Sequence, residues 1–171
     1  RDTFNVRETL FPLASAGLGH SRGVEVDLTK KDDGRWYGQL NLSLSKAQHA
    51  ALDGVLRSGS FDYPVVFNLT GGHRWSARWE SSLKVAYLSG RPYTPLDTTL
   101  STSQRRGIYD LSQVNAVRAP AYFRVDARID RNLTIAGRPV ILFVGVQNVT
   151  GRRNFAGYTW NRRTNVADTN E

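Results

Sequence analysis

Alternation of apolar and polar residues with a period of two is the feature of this sequence that most limits its fold. The clearest stretch is AYFRVDARIDR at 121–131, in which Phe, Val, Ala and Ile alternate with Arg and Asp. Successive side chains of a strand point to opposite faces, so the pattern predicts a strand with one apolar and one charged face. A helix would instead bring its apolar residues back every three or four positions.

The same alternation recurs along the chain. Further strands are predicted in 24–31, 35–46, 61–72, 78–88 and 139–149, and a seventh is expected to begin near Phe155. Helical patterning is nearly absent, and KAQHAALDGVL at 46–56 is the one stretch suited to a turn or two of helix. The fold class is therefore predicted to be all-β, an antiparallel up-and-down meander of about seven to eight strands.

The connections between these strands are alternately short and long. Short ones surround Asp33-Gly34, Gly72-His73 and Ala136-Gly137, and long ones run over 46–60 and 89–120. Outer-membrane barrels have tight turns on one side and extended loops on the other, whereas a sandwich has no general reason to alternate them. The spacing favours part of a large transmembrane β-barrel, while the apolar face alone fits a soluble sandwich or barrel equally well.

Aromatic residues fall at both ends of the apolar faces. In a barrel wall aromatic residues are expected at the two membrane interfaces. The central apolar positions carry no charged residue, as expected, because a lipid-facing Arg or Lys at the midplane would cost about 2–4 kcal/mol. The expected membrane-interface aromatics are Trp36, Tyr63, Trp79, Tyr87 and Phe123.

The opposite faces of the same strands carry charges of both signs. In a barrel these side chains line the lumen, and in a sandwich they face solvent. The expected lumen-facing polar wall consists of Glu25, Asp27, Glu80, Lys84, Arg124, Asp126, Arg128 and Asp130.

The chain is basic, with a formal net charge of +8 over 171 residues. This charge suits either nucleic acid or an anionic lipid or lipopolysaccharide surface. Nucleic acid is not expected, because no RNP-like aromatic strand motif accompanies the arginines, which fall largely in loops and on a mixed-sign face. No run of about 20 apolar residues exists that would form a transmembrane helix. Outer-membrane lipid and lipopolysaccharide are the expected surroundings.

The search for catalytic or metal-binding groups gives no candidate. GHSRG at 19–23 matches the pattern of a serine nucleophile on a strand-to-helix turn, but a strand rather than a helix follows Ser21, which favours a loop-to-strand junction. The chain has no cysteine, and its three histidines lie far apart. Carboxylates and histidines for a hydrolase at a barrel rim exist, but nothing places them together. No enzyme activity, metal or cofactor is expected.

Four segments resemble the C-terminal part of the barrel of TonB-dependent outer-membrane receptors. They are GHSRGVEVDL, LSGRPYTP, RAPAYFRVDARIDRNL and VGVQNVTGRRNF, which occur in the family's order and cover most of 17–155. The resemblance implies a barrel of about 22 strands with a plugged lumen. Residues 1–171 would form a C-terminal segment of it, with the plug and the final strand absent.

The resemblance also implies a function in the bacterial outer membrane. Such receptors take up scarce, bulky ligands, among them iron chelates, cobalamin and glycans, with energy supplied by the TonB complex, here through the missing N-terminal part. A soluble β-sandwich or a small standalone outer-membrane barrel acting as a binding module is the alternative.

Ligand contacts are expected from two extracellular loops. Basic and aromatic side chains there suit an anionic chelate or the faces of sugar rings, and the alternative is that the arginines are solvated or bind lipopolysaccharide phosphates. The candidate ligand-binding residues are Arg105, Arg106, Tyr109, Tyr158, Trp160, Arg162 and Arg163.

Overall fold

The computed structural model of the chain describes residues 17–170, which form an antiparallel meander with two small accessory hairpins. The strands are β1 Leu18–Lys30, β2 Trp36–Ala50, β3 Leu56–Ser58, β4 Val65–Arg74, β5 Trp79–Leu88, β6 Pro92–Tyr93, β7 Val117–Arg118, β8 Tyr122–Ile135, β9 Arg138–Val146, β10 Gly157–Asn161 and β11 Val166–Asn170. One helix, α1, spans Thr98–Gln104, and a short 3-10 helix spans Leu111–Gln113.

The main sheet has the order β1-β2-β4-β5-β8-β9, with β3 added beside the end of β2. All of its neighbours pair antiparallel. Apart from the short β3, the strands of the main sheet lie side by side in the order in which they follow one another along the chain, which is the up-and-down order. The predicted all-β fold and antiparallel meander are confirmed.

Turn residues account for the tight connections. Asp33 Oδ1 accepts hydrogen bonds from the backbone N–H groups of Arg35 and Trp36, and Gly34 has a φ of 88°. Between β8 and β9, Ala136 and Gly137 both have positive φ, as a primed hairpin turn requires. Both predicted short turns are confirmed. The turn placed at Gly72-His73 lies further on, at 75–78, because β4 continues to Arg74.

The register places the predicted apolar positions on one face of the sheet. A row across five strands of that face consists of Leu28, Leu40, Leu69, Val85 and Val125. The adjacent row on the opposite face consists of Thr29, Gln39, Thr70, Lys84 and Asp126. The two sets of side chains are therefore separated by the sheet itself.

No layer of residues 17–170 covers the apolar face. The buried hydrophobic side chains within this range are Ala50 and Ala119, whereas Val24 is 64% exposed and Val144 is 66% exposed. The extensive contacts between elements join neighbouring strands. The described part of the chain is therefore a single-layer sheet, and its large apolar side chains are not packed into a core.

Three local predictions are wrong. The stretch 46–56 is not helical, because β2 continues to Ala50, where it pairs with Leu18 of β1, and β3 follows at Leu56. Ser21 is not at a loop-to-strand junction but lies inside β1, opposite Ala47. The strand expected to contain Tyr63 begins at Val65 instead.

The strand expected near Phe155 begins at Gly157. It is not a seventh strand of the main sheet, since it pairs with β11 in a separate two-stranded sheet.

Candidate ligand-binding site at the long-loop end

The end of the sheet that carries the long connections holds a cavity of about 400 Å³. We call it the loop cavity. Its aromatic lining consists of Tyr93, Tyr109, Phe155 and Tyr158, and its polar lining consists of Ser60, Arg91, Thr94 and Asn115. Segments that lie far apart in the sequence, from the loop after β3 to strand β10, thus meet around one space. A concave site with several aromatic rings and a few polar groups is typical of small-molecule binding.

Three of the aromatic rings form a continuous cluster. The ring centroids of Tyr93 and Tyr158 are 5.2 Å apart, and those of Phe155 and Tyr158 are 4.8 Å apart. Burial and a hydrogen bond with Tyr158 raise the pKa of Tyr93 to about 12. Its hydroxyl is therefore neutral at physiological pH, and the cluster offers ring faces rather than charge.

The long connection between β5 and β8 is held by its own hydrogen bonds. The fully buried Ser101 bonds through its hydroxyl to the N–H of Ile108 at 2.9 Å. Asp97 caps α1 by accepting from Leu100 N at 2.8 Å. Asn115, with a φ of 54°, donates from Nδ2 to Ser58 O at 2.8 Å. This wall of the loop cavity is therefore positioned by defined contacts.

An ion pair with a buried carboxylate joins the β6–β7 hairpin to the loop before β4, beside the loop cavity. Arg118 Nη2 lies 2.5 Å from Asp62 Oδ2, and its Nη1 donates to Asp62 O at 2.9 Å and to Gly90 O at 3.0 Å. Asp62 also accepts from Ala47 N at 2.8 Å. Burial opposes ionisation of Asp62, but these hydrogen bonds outweigh it and lower its pKa. The carboxylate is therefore ionised where the pair forms.

The structure brings some of the predicted ligand-binding residues together. Tyr109 and Tyr158 both line the loop cavity. Trp160 lies behind it, against Gly107, and its Nε1 has no hydrogen-bond partner in the described range.

The four predicted arginines do not line the loop cavity. Arg105 ends α1 with a φ of 49°, and Arg106 bonds to Gln104. Arg162 and Arg163 lie in the exposed turn between β10 and β11. That turn contacts α1, because Asn165 Nδ2 donates to Thr102 O at 3.1 Å.

Sequence reasoning missed two central residues of the site. Tyr93 and Phe155 complete the aromatic cluster, although each lies in a segment that was singled out for its family resemblance. The sequence signal that could have identified them is the aromatic residue at the start of each long connection.

The predicted polar wall lies on one face of the sheet, as its alternation predicts. Lys84 is directly opposite Asp126, and Glu80 is opposite Asp130. Along β8, ion pairs join Arg124 to Asp126 at 2.6 Å and Arg128 to Asp130 at 2.5 Å. The remaining members, Glu25 and Asp27, share this face on β1.

The predicted interface aromatics fall at the two ends of the apolar face. Trp36 and Trp79 begin β2 and β5 beside the short turns. Tyr87 and Phe123 are paired directly at the other end. Tyr63 lies outside the strands.

Residues 17–170 contain no group of three or more His, Asp or Glu side chains able to hold a metal ion. Within the same range no helix is long and apolar enough to cross a membrane. Comparison with protein-family models, with curated proteins and with solved structures finds no match.

Proposed function

We propose that this chain is part of the wall of a large outer-membrane β-barrel, in a TonB-dependent receptor that imports a scarce, bulky ligand. An iron chelate, cobalamin or a glycan is the class of ligand that the family resemblance implies. The observation that carries the proposal is the apolar face, whose central rows are hydrophobic and which no part of residues 17–170 covers. Hydrocarbon is a medium in which such a face is stable, whereas monomeric soluble proteins rarely expose apolar patches larger than a few hundred Å².

The distribution of charge supports lipid contact. Two neighbouring rows across the middle of this face carry no charged residue: Val26, Leu42, Phe67, Tyr87 and Phe123 in one, and Leu28, Leu40, Leu69, Val85 and Val125 in the other. The opposite face carries ion pairs and hydrogen-bonded polar groups, as a water-filled or plugged lumen allows. On β1, β2, β4, β5 and β8 this division is the one expected of a membrane strand, whereas β9 carries Ile141 and Phe143 on the polar face as well.

A soluble sandwich would require a second sheet over the apolar face. The other sheets in the described range are the short hairpins β6–β7 and β10–β11, and the latter contacts α1. Two-stranded hairpins of this size are too small to cover the apolar face of six strands of the main sheet. The described residues therefore favour the barrel wall over the sandwich.

The loop cavity is the proposed ligand site of the receptor. It lies on the side of the long connections, which is the extracellular side in an outer-membrane barrel. Its neutral aromatic cluster suits stacking on sugar or other planar rings, and the arginine-bearing turns beside it suit an anionic group. Transport driven through TonB is the part of the proposal that comes from the family resemblance alone.

Cysteine scanning of the full-length receptor in lipid vesicles tests the membrane assignment. This chain has no cysteine, so a spin label can be placed at Val26 or Val85 on the apolar face and at Glu25 or Lys84 on the polar face. Labels at the valines should collide with dissolved oxygen, which concentrates in lipid, and labels at the charged positions should collide with a water-soluble nickel chelate.

Lys84 and Val85 are adjacent on β5, so labels at these two positions are matched controls for each other. A label at Val85 that is accessible to oxygen, together with a label at Lys84 that is accessible to the nickel chelate, supports the barrel wall. Labels at both valines that are shielded from oxygen and from nickel would overturn it, because that result indicates a protein layer over the apolar face.

A further inference from the structure

We propose that the apolar face binds an anionic phospholipid at its short-turn end, with an acyl chain in a furrow over Gly71 and the phosphate beside His73 and Arg131. This inference rests on the proposed function, which places the face in lipid. It goes further by assigning one lipid class to one position on the wall.

A furrow lies on the sheet where one row contains several small residues. Gly38 pairs with Gly71, Leu83 follows on β5, and Ala127 lies beyond it on β8. The resulting cavity has a volume of about 640 Å³, within the usual size of a small-molecule site. Its apolar lining consists of Leu69, Leu83, Ala127, Ile129, Val144 and Val146. A flexible hydrocarbon chain fits this lining.

An unsatisfied polar group lies at the end of the furrow. His73 lines the cavity, is only 6% exposed, and its Nδ1 finds no hydrogen-bond partner among residues 17–170. Leaving a buried polar group unpaired is unfavourable, so a ligand that bonds to it is stabilised. The Trp36 ring lies 3.8 Å from the imidazole on one side and the Trp75 ring 4.4 Å on another. Trp75 is on the turn and 67% exposed, and its Nε1 donates to Ser81 Oγ at 2.8 Å. The proposal requires the Trp75 ring to move aside so that a headgroup reaches His73.

Cationic side chains are concentrated at this end of the face. Arg131 follows the furrow residue Ile129 by two positions on β8, and its guanidinium lies 4.8 Å above the ring of Trp79. Arg138 lies on the same face, opposite Ile135. The paired strand positions around them on this face include no acidic residue.

The acidic residues near this end of the sheet already have partners. Asp32 pairs with Arg74 at 2.7 Å, and Asp33 pairs with Lys30 at 2.7 Å. Asp130 and Glu80, on the opposite face, pair with Arg128 and Arg74. A negatively charged headgroup therefore complements Arg131, and Arg138, opposite a position four residues further along β8, adds positive charge at the same end of the face. An apolar furrow that ends in cationic and hydrogen-bonding groups has the chemistry of a phospholipid, whereas a small soluble anion would leave the furrow unfilled.

The test uses the full-length receptor, stripped of lipid in detergent and analysed by native mass spectrometry. Dioleoyl phosphatidylglycerol and dioleoyl phosphatidylcholine are offered at equal concentration. We expect preferential retention of phosphatidylglycerol. Arg131→Gln should weaken it about tenfold, the effect of losing one hydrogen bond to a charged group. Ala127→Leu, which fills the furrow, should weaken retention of both lipids.

Matched controls lie elsewhere on the apolar face. Arg22 occupies this face at the long-loop end, and Val24 follows it. Arg22→Gln and Val24→Leu should leave retention unchanged. An equal loss in Arg22→Gln and Arg131→Gln would overturn the site, since it indicates general attraction of lipid to a basic protein.

The remaining outcomes separate this inference from the proposed function. Oxygen-accessible labels at Val26 and Val85 together with no preference for phosphatidylglycerol overturn the lipid site alone. Shielded labels overturn both. Displacement of bound phosphatidylglycerol by equimolar inorganic phosphate overturns the lipid site in favour of a simple anion site.

Discussion

Arg118 and Asp62 form an ion pair of 2.5 Å that joins the β6–β7 hairpin to the loop before β4. The Asp62 side chain is fully buried, while that of Arg118 is 39% exposed. Because the same carboxylate also accepts from the backbone of β2, the pair fixes both long connections to the end of the main sheet. The shape of the loop cavity therefore depends on this ion pair.

Replacing Arg118 should therefore loosen the long loop. In Arg118→Met the buried Asp62 carboxylate keeps its Ala47 partner but loses its counter-ion, and we expect loop opening to become about 2 kcal/mol easier, within the range for hydrogen bonds to charged groups. Amide hydrogen exchange over 89–120 measures this. The pair of Arg57 and Asp53 supplies the control, because the Asp53 carboxylate is 46% exposed and Arg57→Met should therefore change exchange by far less. Equal effects would contradict a special role for the pair with the buried carboxylate.

The stability that this ion pair gives to the long loop should depend on pH in the acid range. Hydrogen bonds hold the pKa of Asp62 below its ordinary value of 3.8. A carboxyl whose pKa is lowered by folding contributes stability above its ordinary pKa and loses it as the pH falls through the lowered value. Exchange protection of 89–120 should therefore be constant from pH 7 to 5 and decline below 3.8. In Asp62→Asn the acid-dependent part should disappear, and its persistence would assign the decline to another group.

The strands and their facing could be predicted because period-two alternation is a local property of the chain. Val125 and Asp126 face opposite sides whatever partner β8 meets. The end of β2 could not be placed, because the helix-compatible stretch from Lys46 is held extended by pairing with β1, which the local sequence does not contain. The loop cavity could not be predicted for the same reason, since Tyr93 and Tyr158 meet only through tertiary contacts.

Tyr93 should titrate well above an ordinary tyrosine. Its pKa is raised to about 12 by burial and by the hydrogen bond with Tyr158, so the neutral hydroxyl is stabilised by folding. An ultraviolet difference titration of the full-length protein against Tyr93→Phe should show one phenol ionising near that value. A difference spectrum that develops near pH 10, the ordinary value, would place Tyr93 in solvent.

The aromatic cluster should determine which ligands bind in the loop cavity, the proposed ligand site. An array of oligosaccharides and ferric chelates is screened with the full-length protein, and each compound that binds is retested with variants. Tyr158→Ala removes the ring that contacts both Tyr93 and Phe155 and should weaken binding about tenfold, because stacked aromatic contacts are worth about 0.5–1.5 kcal/mol beyond area burial.

Tyr158→Phe keeps the ring and separates stacking from hydrogen bonding. It should bind nearly as well as the wild type if the ring face carries the contact. Unchanged binding of every compound by Tyr158→Ala would remove the loop cavity as the ligand site.

Gly72 on the polar face should not tolerate a side chain. The Tyr37 ring lies directly over it, so a Cβ at this position would overlap the ring, and Tyr37 would lose its 2.5 Å hydrogen bond to Glu80. We expect Gly72→Ala to lower the free energy of unfolding by about 1–3 kcal/mol, the range for overpacking. Urea denaturation in detergent micelles, followed by tryptophan fluorescence, measures this change.

Gly145 provides a matched substitution on the same face of the sheet. A Cβ there has Ala127 O at 3.9 Å as its nearest neighbour, an ordinary contact, so Gly145→Ala should have little effect or stabilise slightly. A similar loss for both variants would mean that glycine is required by strand flexibility in general. A loss confined to Gly72→Ala, and relieved by Tyr37→Ser in the double variant, assigns the effect to the tyrosine that covers it.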